Sequence, residues 1–172
     1  MTLFTADVPA WLQRPAKGYL TPAEIAQVDA IFSRILPADH ARQIPGAVEA
    51  GASSFVSELL AMDAAVYWEI PNWRTLYRAA LPALDDYARA NFQAALVALT
   101  DEQMNSLIGG LEAGSLAGFS AAIDQKLLFT TLRRHCIQGC FADPRWGGNK
   151  NKVMWRGIGY LQPAEDLYHD NL

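Results

Sequence analysis

Three side chains suited to chemistry lie close together near one end of the chain: His135, Cys136 and Cys140. On a helix, Cys136 and Cys140 fall one turn apart on the same face. Two thiolates and an imidazole begin a zinc or iron–sulfur ligand set. A closed set needs about four ligands, and the other histidines, His40 and His169, have no Cys or His beside them. The first reading of the thiols is therefore as small hydrophobes, one buried and one near a surface. A thiol reaching a second subunit comes next, and a metal last. His135 and Cys136 are neighbours, and helix neighbours point about 100° apart, so they cannot serve as base and nucleophile. His135 with Asp143 makes a conceivable acid–base pair, but no substrate follows from it.

Other chemistries fail on spacing. A di-iron carboxylate bundle needs Glu-x-x-His on two helices and two further inward Glu. The nearest match is the single run Asp166-Leu167-Tyr168-His169. Gly147-Gly148-Asn149-Lys150 lacks the spacing of a phosphate loop, and Gly157-x-Gly159 is a fragment of a dinucleotide fingerprint. No Ser sits in a Gly-x-Ser-x-Gly elbow. No catalytic residue and no metal ligand is assigned.

The stretch from His135 to Tyr160 reads instead as a rigid recognition loop. Asp143-Pro144 favours a tight turn. Gly147 and Gly148 permit backbone angles that other residues resist, and Asn149 bonds backbone groups in such turns. Trp146, Trp155 and Tyr160 supply large amphipathic anchors of the kind enriched in interfaces. A self-packed cap for a helical bundle is the plainer use of the same residues.

The elements that must hold this stretch are read from apolar periodicity. Thr21-Pro22-Ala23-Glu24 is a capping box with Pro at the first helical position. Ile25, Val28, Ile31, Phe32 and Ile35 then share one face, and Pro37 stops the helix. Residues 37–46 form a loop, and residues 47–62 carry a second stripe through Val48, Phe55, Val56, Leu59 and Leu60. Asn72 is predicted to cap a third helix, with a kink or break at Pro82. Thr100 and Gln103 make another capping box, opening a short helix through Met104, Leu107 and Leu111. Ser120 is predicted to cap a long final helix that turns Ile123, Leu127, Leu128, Leu132 and His135 inward and ends near Gly139. Gly110, Gly114 and Gly118 repeat at four, which suits a flexible loop or a close helix approach. The expected fold class is all-α: a compact bundle of about five to six helices, with an irregular Gly/Trp-rich C-terminal segment. Residues 1–20 read as an extended arm pinned by Trp11 and Leu12. Residues 21–172 read as a single helical domain, with 141–163 its loop or cap.

Composition narrows the class further. The chain has 172 residues, of which 51% are hydrophobic and 19% charged, so it can bury a core and is not disordered by composition. The net charge of -4 argues against a nucleic-acid partner, which demands a broad basic face. Two Cys do not make a disulfide-dense module. No apolar run approaches the roughly 20 residues of a membrane span. The first twenty residues show no basic n-region, apolar h-region or twin Arg, so no export signal is read there.

The run His135-x3-Gly139-x-Phe141-x-Asp143-Pro144-x-Trp146-Gly147-Gly148-Asn149, with Trp155-Arg156-Gly157-Ile158-Gly159-Tyr160, resembles the C-terminal signature of the gluconate 2-dehydrogenase subunit 3 family. Upstream, Ile35-Leu36-Pro37 and Pro45-Gly46-Ala47-Val48-Glu49-Ala50-Gly51 are similar to that family's Pro loop and Pro-Gly-Ala turn. Met154 stands where relatives commonly have Gly. The resemblance, over about residues 20–163, implies a non-catalytic small (gamma) subunit of an FAD-dependent dehydrogenase for sugars, sugar acids or polyols. Such a subunit binds, stabilises and helps to mature a large FAD-binding subunit of the glucose-methanol-choline type. No cofactor is expected in this chain; the FAD belongs to the large subunit, and a multihaem cytochrome c often takes the electrons. The partner contacts implied are His135, Phe141, Asp143, Pro144, Trp146, Gly147, Gly148, Asn149, Trp155 and Tyr160. Cys136 or Cys140 is the candidate for an intersubunit thiol. The resemblance implies a periplasmic complex at the inner membrane, whereas the lack of an export signal in this sequence is consistent with the cytoplasm. Two other readings remain open: a free-standing helical adaptor or homodimer, and a small enzyme using His135 and Asp143.

Overall fold

A computed structural model describes residues 15–160. Trp11, Leu12 and residues 161–163 of the predicted loop lie outside that range. Seven α-helices follow in order among the described residues: α1 Pro22–Ile35, α2 Ala47–Ala50, α3 Ala52–Ala61, α4 Ile70–Phe92, α5 Asp101–Ala113, α6 Gln125–Phe141 and α7 Val153–Gly157. The fold is all-α. The one strand-like pairing among the described residues is an isolated bridge between Asp39 and Ile44 in the loop after α1. No described helix is long and apolar enough to cross a membrane.

Local chemistry sets several of the helix ends. Thr21 Oγ1 accepts the Glu24 N–H at 3.3 Å, and Glu24 Oε2 accepts the Thr21 N–H at 2.8 Å. The Thr100–Gln103 box is built the same way at the start of α5. These bonds satisfy amides that a helix start otherwise leaves unpaired. The apolar stripe of α1 is buried through Val28, Ile31 and Phe32.

Four local expectations are corrected. The stripe over 47–62 is two helices, because Gly51 takes φ +70° and closes α2 with its N–H on the Ala47 and Val48 carbonyls. Asn72 does not cap α4, which starts at Ile70 with Glu69 before it. Nor does Pro82 break that helix, which runs to Phe92. Proline costs a helix interior about 3 kcal/mol, but Leu81 and Leu84 flank it in the core, and each buried side chain returns about 2 kcal/mol. The cap of α6 is Asp124, whose Oδ1 accepts the Leu127 N–H at 3.0 Å, and Ser120 lies in the preceding turn.

Helix α6 is central, packing against α3, α5, α1 and α2. Its closest approach is to α3, where a Cβ on Gly139 would lie 2.8 Å from the Ala52 Cα. Leu128, Leu132, Cys136 and Cys140 share one buried core with Phe32, Leu60, Leu84 and Leu107. Leu127, expected inside, is 57% exposed, and Val48, read into the second stripe, is 45% exposed. The end of the predicted arm is tied to α3: the Tyr19 N–H donates to the Ser57 carbonyl at 2.9 Å, and the Leu20 N–H to Ser57 Oγ at 3.0 Å. The glycines at 110, 114 and 118 are not a contact stripe. Gly110 faces Leu116, Gly114 ends α5 in the left-handed region, and Gly118 is left-handed with open space around it.

Candidate functional site

The segment after α6 folds back onto the end of that helix. Asp143 Oδ1 accepts the Arg145 N–H at 3.0 Å, and Oδ2 pairs with the Arg145 guanidinium at 2.8 Å. That guanidinium holds the Asp143 carboxyl below its usual range, against the opposing effect of burial. A single 3-10 turn follows over Pro144–Trp146, and Gly147 closes it at φ +91°. A Cβ on Gly147 would lie 2.5 Å from the Glu58 carboxylate, and one on Gly148 would overlap the Gly139 carbonyl oxygen. Both positions therefore require glycine.

Asn149 is the pivot. It is completely buried and takes the left-handed conformation at φ 43°. Its N–H donates to the Gly139 carbonyl at 2.9 Å, and its Oδ1 accepts the Met154 N–H at 3.0 Å. One residue thus bonds α6 to α7. Asn151 and Lys152 are also left-handed, a conformation that costs a residue with a Cβ roughly 1–2 kcal/mol. From α7, the Trp155 indole N–H donates to the Phe141 carbonyl at 3.1 Å. The Tyr160 ring meets Trp155 edge-on at 5.7 Å, and the Tyr160 N–H donates to the Trp155 carbonyl at 2.8 Å.

The ten residues expected to touch a partner divide by burial. Gly147, Gly148, Asn149 and His135 are interior and shape the segment. Asp143, Pro144, Trp146 and Trp155 are half-buried. Phe141 and Tyr160 are exposed, and Ile158 beside them is exposed as well.

His135 does not meet Asp143. Its Nδ1 lies 3.1 Å from Tyr77 Oη, and its ring packs edge-on against Trp73 at 4.5 Å. Burial, with the Arg134 charge adding, lowers its pKa to about 3, so the imidazole is neutral at pH 7. Asp143 is engaged by Arg145. The acid–base pair of the small-enzyme reading is not assembled. Cys136 and Cys140 are both free thiols and both buried. The hydrogen bond to Cys140, together with burial, pushes the Cys136 thiol well above its ordinary range. The expectation of one thiol near the surface is corrected. Among the described residues no group of three His, Cys, Asp or Glu is placed to hold a metal.

Residues 22–163 match the family model described as gluconate 2-dehydrogenase subunit 3. The chain belongs to that family. No curated protein and no solved structure matches it. The match begins at the first residue of α1 and takes in the whole of the Asn149 loop, so the scaffold and the segment it carries belong to subunit 3 together. The family is by its description a dehydrogenase subunit, and a subunit needs a face for the rest of its assembly.

A second exposed surface of this subunit 3 chain went unread in the sequence. The turn before α4 presents Tyr67, 41% exposed, and Trp68, 72% exposed. Tyr67 stacks on Trp73 at 5.1 Å. Tyr67 and Trp73, with Phe55, Leu59, Ile137 and Phe141, line a groove of about 590 Å³. The available signal was the adjacent aromatic pair Tyr67-Trp68, set between two helical patterns.

Proposed function

We propose that this chain is the non-catalytic small subunit of an FAD-dependent dehydrogenase acting on sugars, sugar acids or polyols. Its role is to bind, stabilise and help mature the large FAD-binding subunit, of the glucose-methanol-choline type. The observation that carries the reading is the aromatic edge Phe141–Trp155–Tyr160. It is exposed at its two ends, yet fixed to α6 by the buried Gly147-Gly148-Asn149 backbone. Large rigid aromatics on a preorganised edge lose little entropy on docking. Family membership supplies the kind of assembly they dock into.

The mechanism is linkage. A small subunit that binds the folded large subunit and not its unfolded chain shifts the large subunit toward the native state. The gain is about 2.7 kcal/mol at a hundredfold excess over Kd. The FAD and the oxidation belong to the large subunit, with a multihaem cytochrome c as a further electron acceptor in the complex. Nothing in this chain needs to touch substrate: its buried imidazole and thiols are structural.

Co-expression with the large subunit tests this. The wild-type chain is expected to raise the yield and flavin content of the large subunit, and Trp155→Ala and Tyr160→Ala to lower both. A large subunit that folds and loads flavin equally well without this chain overturns the proposal.

A further inference from the structure

The charge of this protein is unevenly distributed along the chain. The whole carries -4, yet residues 125–160 hold seven Lys and Arg against the single acid Asp143. Helix α6 itself contains Lys126, Arg133 and Arg134 and no acid. Its outward residues Leu127, Thr130, Arg134, Ile137 and Phe141 recur at three and four, so they form one stripe along the solvent side of the helix. Leu127, Ile137 and Phe141 are 57%, 39% and 36% exposed. With Tyr67 and Trp68 they make up five of the nine large hydrophobics exposed among the described residues.

Two grooves flank the middle of this stripe. One, of about 410 Å³, lies beside Leu127, Ile123 and Ala79. The other, of about 590 Å³, lies beside Ile137, Phe141 and Tyr67. Trp73 and Arg134 line both and so form the ridge between them, the guanidinium resting 4.9 Å from the indole ring centre. Arg134 has one ion-pair partner among the described residues, Glu69 at 3.4 Å, which leaves guanidinium donors for another acceptor.

We propose that this face of α6 is the docking site for an acidic amphipathic helix of the large subunit, a proposal that rests on the small-subunit reading above. Apolar side chains of that helix enter the two grooves, and its carboxylates meet Arg133 and Arg134. Leu127 to Phe141 spans about 21 Å of helix, enough for anchors at i, i+3 or i+4, and i+7 on each side of the ridge. Two concave grooves suit inserted side chains.

The test uses the complex purified with the full chain. Ile137→Asp and Arg134→Glu each change an exposed or half-exposed side chain, and retained helicity and Tm check that they fold. Each is expected to raise the Kd for the large subunit by about tenfold or more, and wild-type affinity is expected to fall with salt. Val97→Asp, exposed on a different element, is expected to leave it unchanged. If the wild type forms the complex and both α6 variants bind within about twofold of it, the docking face is wrong and the small-subunit reading stands. A wild type that forms no complex with the flavoprotein overturns both. If phosphatidylglycerol vesicles bind the wild type but not the two variants, while the complex is unaffected, this face is a membrane surface and the proposal falls.

Discussion

The Asn149 N–H donates to the Gly139 carbonyl at 2.9 Å, and through that bond the loop takes its shape from the last turns of α6. Both partners are constrained. Gly139 lies against Ala52 with no room for a Cβ, and Asn149 sits in the left-handed region. Replacing Asn149 with Ala removes the acceptor for the Met154 N–H and places a Cβ residue less tolerant of that conformation. We expect a loss of about 2 kcal/mol. Asn149→Gly relieves the conformational term and is expected to cost about half as much. Urea unfolding of the two variants measures the difference, and equal losses would remove the backbone conformation from the explanation.

The glycines of the helices separate close approach from idle flexibility. A Cβ on Gly109, in α5, would meet nothing within 4 Å, so Gly109→Ala is expected to stabilise by roughly 0.5–1 kcal/mol. Gly139→Ala forces α6 away from α3 and is expected to cost about 1–3 kcal/mol. Thermal melts are expected to move in opposite directions, by about 2–4 °C per kcal/mol for a chain of this size.

The buried imidazole gives the fold a pH dependence. The folded protein holds His135 neutral with a pKa of about 3, below its ordinary 6.5, through burial first and the Arg134 charge second. The unfolded chain therefore binds the proton first as pH falls. The stability tied to neutral His135 is complete above the unfolded pKa and is lost as pH drops from there toward the folded one. The slope approaches about 1.4 kcal/mol per pH unit. Against a His135→Phe variant, the difference in stability is expected to shift by that slope between roughly pH 6 and pH 4. A difference that stays constant over that range would mean that His135 does not set the titration.

The two thiols make a kinetic prediction. Cys136 and Cys140 are fully buried, and thiolate formation at Cys136 is suppressed by Cys140 and by burial. A thiolate-specific reagent is expected to label neither in the native chain and both after denaturation. Rapid native labelling would return these residues to the list of surface thiols.

Much of this was legible where the determinant is local. The capping boxes at Thr21 and Thr100 need only a hydroxyl and a side chain three residues on, and both are formed. The motif from Phe141 to Tyr160 reads in the sequence as irregular, with no helical period, whereas the fold places two 3-10 turns and the short helix α7 within it. What was not legible depends on tertiary packing. Gly51 is tolerated inside a helix or ends one, and only its left-handed backbone in the fold shows which. Leu127 fits the inward pattern of α6 as well as Leu128 does, so periodicity alone does not say which of the two faces solvent. Within the motif, Asn149 and Tyr160 both read as contact residues. The fold buries the first against Gly139 and leaves the second 65% exposed, a difference set by contacts between segments distant in the chain.

The most direct measurement is affinity purification of the tagged chain from cells expressing the large subunit, with absorbance and stoichiometry of the eluate. An equimolar complex carrying flavin absorbance is expected, reduced in the Trp155→Ala variant. A colourless eluate containing this chain alone, with the large subunit folded and active elsewhere in the same cells, would contradict it.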